Sequence, residues 1–145
     1  MDDPFDLERF VTAQNASGTY GHAIAELRKG AKRSHWMWFI FPQVQGLGQS
    51  STSRHYAISS LAEAQAYLRH PILGARLLEC TAAIAGLKDR SATQIFGGTD
   101  AQKLHSSATL FLRAAPDEQL FQHILDQYFD GQPDSATDRL LGLRA

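Results

Sequence analysis

The sequence predicts an all-α fold, a compact irregular bundle of about seven or eight short helices. Three observations point there. Helix start and stop signals recur along the chain, apolar positions return at intervals of three and four, and almost no segment alternates as a strand does.

Asp3, Pro4 and Asp6 open the first helix with an N-cap acceptor, a proline whose missing N–H costs nothing there, and negative charge at the positive helix end. Phe5, Leu7, Phe10 and Val11 give it an apolar face to about Gln14, and Asn15, Ser17 and Gly18 end it. From Thr19 to Lys29 the residues Tyr20, Ala23, Ile24 and Leu27 keep helical spacing, with Gly30 where a left-handed residue is wanted. Ser34 to Gln43, SHWMWFIFPQ, has no strand partner and Pro42 to stop it, so it reads as a short, fully buried helix. Ser60 and Glu63 form a capping box for a helix to about Arg69. Pro71 breaks that helix, and His70 before it reads as an N-cap or packing residue. Leu73, Leu77, Leu78, Thr81, Ile84 and Leu87 mark the next helix. Ser91 and Gln94 box a very short element closed by Gly97 and Gly98. Thr99 and Gln102 repeat that pattern before Leu104, Ala108, Phe111 and Leu112. Pro116 and Asp117 begin a helix with Leu120, Phe121, Ile124, Leu125 and Tyr128 inside, and a last one spans Ser135 to Leu143.

The 145 residues, 43% of them apolar, are enough for one self-sufficient core, so a single domain over 1–145 is expected. With 14 Lys plus Arg against 15 Asp plus Glu, the net charge of -1 argues against a generally basic nucleic-acid binder. The longest apolar run, Trp36 to Pro42, is about a third of a membrane span, and the start Met1-Asp2-Asp3-Pro4 lacks the positive charge of a signal peptide. A cytoplasmic location without membrane attachment is the expectation. The lone Cys80, in the middle of an apolar-periodic helix, reads as a buried and inert thiol. The six histidines lack metal-ligand spacing, and the phosphate-loop, dinucleotide-fold and GxSxG signatures are absent, so no metal or cofactor is expected.

Chemistry concentrates in two stretches. Arg28 to Trp38 joins basic residues to a glycine turn and two tryptophans. Lys32 and Arg33 can hold a phosphate or carboxylate, Trp36 and Trp38 can stack on a planar ring, and His35 can move a proton. The structural alternative places both tryptophans in the core and the cations at a helix C-terminus. The second stretch holds Lys103, Ser106 and Ser107 near a helix start that suits an anion. Between them lies the irregular segment Gln43 to Ser53, whose Gly46 and Gly48 allow backbone to approach a ligand. If it folds back, Arg54, His55 and Tyr56 at its end face the basic stretch.

The segments DPFDLERFVTAQ (from Asp3), KRSHWMWFIFPQ (from Lys32), YAISSLAEAQAYLRHPILGARLLEC (from Tyr56) and IFGGTDAQKLHSSATLF (from Ile95) together resemble an uncharacterised bacterial family, domain of unknown function 1810. The resemblance covers most of the chain in order. It implies a small, mainly helical domain and no established activity, substrate or cofactor. Ala108 departs from it, since a methionine is expected there. Some members carry the label calpastatin; inhibition of that type uses extended disordered repeats, which this compact, unrepeated chain lacks.

The functional expectation is a domain that binds, and acts on if it is an enzyme, a small anionic metabolite such as a nucleotide or ADP-ribose-like compound. Its ligand residues are Lys32, Arg33, Trp36, Trp38, Gln43, Lys103, Ser106 and Ser107, with His35 as the proton-transfer candidate. The alternative is a non-enzymatic module that docks a protein through an exposed aromatic groove.

Overall fold

The computed structural model describes residues 3–143. Its elements are α1 (Glu8–Asn15), a 3-10 turn (Ala16–Gly18), α2 (Thr19–Lys29), α3 (Met37–Ile40), α4 (Ser51–His55), α5 (Leu61–Arg69), α6 (Leu73–Ala85), α7 (Ala92–Phe96), α8 (Gly98–Ala114), α9 (Gln119–Tyr128) and α10 (Ser135–Leu140). The fold is all-α: among the described residues, strand-like pairing is confined to one parallel bridge between Val44 and Ile58. No helix among them is long and apolar enough to cross a membrane.

α8 is the longest element, and every residue from Ser106 to Phe111 along it is buried, as befits a helix enclosed by others. α5, α7, α9 and α10 pack around it, while α6 joins α5 and α9 and carries α2 on its other side. A chain of aromatic rings crosses these layers: Phe10 to Tyr67 at 5.1 Å, Tyr67 to Phe111 at 5.4 Å and Phe111 to Phe121 at 5.8 Å. The Cys80 thiol is sealed in this core, and burial pushes its pKa up to about 12, which keeps it protonated and inert.

Local signals set most element ends. Gly30 closes α2 with φ 71°, and Ser91 and Gln94 exchange both bonds of their capping box. The His70 Nδ1 accepts from the Ile72 and Leu73 amides at 3.1 and 3.2 Å, which makes it the cap of α6. Other ends differ from expectation. The Asp3 carboxylate caps as predicted, accepting from the Leu7 and Glu8 amides, but Asp6 at φ 53° turns the chain and delays α1 until Glu8. Ser60 accepts from the Glu63 amide, yet the Glu63 carboxylate turns to Ser59 and Arg9, so that box is half made. α8 begins at Gly98, one residue before Thr99, with no side-chain cap. α9 begins at Gln119 behind Glu118. The aromatic helix shrinks to the four residues of α3, and Trp38 and Phe39 in it are only half-buried.

The segment read as irregular is a looped strap that contains α4. Its base is pinned where the Ile58 amide donates to the Gln43 carbonyl at 2.9 Å and the Gln45 amide donates to the Ile58 carbonyl at 2.8 Å. From α1 the Arg9 guanidinium donates to the His55 and Ala57 carbonyls at 2.8 and 2.9 Å, which ties down the far side. Gly48 lets the strap fold tightly, because a Cβ there would fall 2.4 Å from that of Ser53.

Candidate functional site

The basic stretch divides into a closed half and an open half. In the closed half Trp36 is fully buried, and its indole N–H donates to Glu26 Oε1 at 3.0 Å. The same carboxylate accepts from the Arg33 and Ser34 amides at 2.8 and 2.9 Å and from the Ser34 hydroxyl at 2.6 Å. Burial alone would raise the Glu26 pKa, but these bonds to its charged form prevail and hold it at about 2. Lys32 lies over the Trp36 ring, its Nζ 4.8 Å from the centroid, and donates to the Ser34 carbonyl at 2.5 Å. It also pairs with Asp100 Oδ2 at 2.8 Å, with its side chain only 7% exposed. Arg28 forms an exposed pair with Glu79. Arg33 and His35 are exposed on this side.

The open half lies two residues on. Trp38, Gln43, Gly46, Gly48, Arg54 and Tyr56 line a chamber of about 130 Å³ inside the strap. Gln43, Gly48 and Ser53 also line an adjoining chamber of about 310 Å³, whose other walls include Thr99, Lys103, Ser106 and Asp134. Lys103 spans the two, since its Nζ lies 4.9 Å from the Trp38 ring centroid. Its bond to Asp100 Oδ1 is 3.4 Å, longer than that of Lys32 to the other oxygen. Lys32 and Lys103 thus converge on one carboxylate. One lysine balances that charge, and the second, Lys103, shares its chamber wall with a further carboxylate, Asp134.

Asp134 brings the opposite sign to the second chamber, yet its oxygens are occupied. Oδ1 accepts from Gln102 at 3.2 Å, while Oδ2 accepts from the Ser106 hydroxyl at 3.2 Å, the Thr137 amide at 3.1 Å and the Thr137 hydroxyl at 2.6 Å. It is the N-cap of α10. Ser107, next to Ser106, points the other way, into the core, where its hydroxyl is buried without a hydrogen-bond partner beside Phe41, Thr81 and Leu104.

Of the sequence candidates, Trp38, Gln43, Lys103 and Ser106 therefore line the two chambers; of the three residues at the end of the strap, Arg54 and Tyr56 line the strap chamber and His55 is exposed outside it. Lys32 and Trp36 belong to the closed half, Arg33 and His35 to its surface and Ser107 to the core. Sequence reasoning missed Glu26 and Asp134. A glutamate on the polar side of α2 carries no sign of the four donors it collects, whereas Asp134, three residues before Thr137, does carry the pattern of an N-cap. Among the described residues, no three side chains of the His, Cys, Asp or Glu type come together as metal ligands would.

A family model described as "Protein of unknown function (DUF1810)" matches residues 4–141 of the chain. Among solved structures, the chain is similar to the conserved hypothetical protein Rv1873 from Mycobacterium tuberculosis. The two are 51% identical and superpose with a TM-score of 0.94 over 98% of this chain and 100% of that one. No curated protein matches it.

Proposed function

The chain belongs to the DUF1810 family of proteins of unknown function, and from that premise we propose that its strap-covered chambers bind a small anionic metabolite, a nucleotide or ADP-ribose-like compound. One observation carries the reading: Lys103 stands over Trp38 at the chamber wall while Lys32 already balances the shared Asp100. The Lys103 chamber, at about 310 Å³, reaches the lower end of the range of roughly 300–1,000 Å³ usual for ligand sites, and the strap chamber adds about 130 Å³ beside it. Thr99 in the first turn of α8 opens into the second chamber, and no side chain caps that helix, so its first amides add to the pull of Lys103 on an anion.

The same features favour a metabolite over a docked protein. A docking groove needs a broad exposed aromatic surface, whereas Trp36 and Phe41 are buried and Trp38 and Phe39 half-buried. They also favour binding over catalysis. His35 lies outside both chambers, and the carboxylate nearest the Ser106 hydroxyl is committed to capping α10.

The test is thermal unfolding with AMP, ADP, ADP-ribose and ribose 5-phosphate. A binder at 100 times its dissociation constant stabilises the protein by about 2.7 kcal/mol. That gain should vanish in Lys103→Ala and survive in Arg33→Ala. No stabilisation by any compound, or an undiminished gain in Lys103→Ala, would overturn the reading.

A further inference from the structure

The two chambers differ in chemistry, and Gln43 lines both, together with Gly48 and Ser53. We propose that the site takes a nucleotide base-first, with the base between Trp38 and Tyr56 in the strap chamber, the phosphate at Lys103, and the Gln43 amide reading the edge of the base. This rests on the anion-binding reading above.

The chamber walls set the direction. Tyr56 is braced by Phe39 at 5.3 Å and Phe10 at 5.8 Å, and with Trp38 it gives the strap chamber aromatic sides suited to a flat ring. The Lys103 chamber is lined instead by Thr99, Gln102, Ser106 and Asp134, polar groups that suit a sugar phosphate.

Gln43 is held where the two chambers meet. Its carbonyl is fixed by the Ile58 amide, and the buried Pro42 precedes it, so its backbone is rigid. The side chain is half-buried, yet its amide makes no hydrogen bond to the described residues, unlike that of Gln14, which bonds Phe39, Tyr67 and Arg76. A glutamine amide offers one donor and one acceptor side by side, and by turning over it can pair with the donor–acceptor edge that adenine, guanine and uracil each present. Arg54 supplies a cation to the strap chamber, so the opposite orientation, phosphate to Arg54, is a distinct outcome.

Calorimetric titration of AMP, GMP, UMP and ribose 5-phosphate into the wild type, Gln43→Leu, Lys103→Ala and Arg54→Ala tests this, with circular dichroism to confirm that each variant folds. The expected result is AMP bound more tightly than ribose 5-phosphate by on the order of tenfold or more. Gln43→Leu should remove most of the advantage that the nucleotides hold over ribose 5-phosphate. Lys103→Ala should weaken all four ligands together. Equal affinity for ribose 5-phosphate and every nucleotide overturns base reading while the anion site stands. An advantage of the nucleotides over ribose 5-phosphate that survives in Gln43→Leu, or a loss shared equally by all ligands, removes Gln43 from that role. Loss of binding in Arg54→Ala but not in Lys103→Ala reverses the orientation and overturns the proposal. Failure of every compound to bind the wild type overturns both readings.

Discussion

Trp36 and Trp38 stand two residues apart, each with a lysine over its ring, at 4.8 and 4.9 Å, and the two lysines share Asp100. Their fates differ. Around Trp36 every polar group meets a partner: the indole N–H and Ser34 end on Glu26, and Lys32 ends on a carboxylate and a carbonyl. Around Trp38 the lysine is three times as exposed, 21% against 7%, its ion pair is longer, and the neighbouring Gln43 amide is free of the described residues. The same residue types thus build a fold where their polar atoms are used up internally and leave a binding surface where they are not. What separates the two is saturation of polar atoms.

The largest expected effect sets one tryptophan against the other. Trp36→Ala removes a fully buried ring and one of the three donors to Glu26 Oε1, and should cost about 3–5 kcal/mol, read as a lower urea midpoint at unchanged slope. Trp38→Ala removes a half-buried ring and should cost about 1–2 kcal/mol while weakening nucleotide binding. Equal losses of stability would break the comparison.

The lysines sharpen it at smaller scale. Lys32→Met strips the closer ion pair from Asp100 inside the fold and should destabilise by about 2–3 kcal/mol, less than for a fully sealed pair because Lys103 still faces the carboxylate. Lys103→Met should cost about 1 kcal/mol or less in denaturant titrations, because its ion pair is longer and Lys32 still balances Asp100, yet lose the ligand. A Lys103 variant that unfolds as readily as the Lys32 variant would place Lys103 with the structural half.

What the sequence revealed follows the reach of each interaction. The Ser91 box, the Gly30 helix end and the His70 cap are settled within four residues, and all three were legible. The difference between Trp36 and Trp38 was not, because it depends on Glu26 ten residues earlier and on Asp100 in a distant helix. The strap was hidden for the same reason. Arg9 reaches across 46 and 48 residues to hold it, and composition alone marks it only as a glycine-rich loop. The cleft was therefore visible as a set of residue types, Trp38, Gln43, Lys103 and Ser106 among them. The exclusion of Lys32, Trp36 and Ser107 from it required knowing which neighbours had already claimed their side chains or walled them in.

The smallest effect isolates the closed half by pH. Glu26 has a folded pKa of about 2 against an ordinary value of 4.5, so its charged form is favoured by folding. Its contribution is complete above pH 4.5 and fades as pH falls through 4.5 toward 2, where the folded protein also takes up the proton. Full conversion of that gap would overstate the effect, because Glu26 is partly open to solvent; about 1–2 kcal/mol is expected after screening. Glu26→Gln keeps the shape, loses the charge and turns one acceptor into a donor facing other donors. It should be less stable than the wild type at pH 7, and the two stability curves should draw together as pH approaches 2. Parallel curves across that window would mean that the Glu26 charge does not hold Trp36 and Ser34 in place, and the closed half would then owe its closure to packing alone.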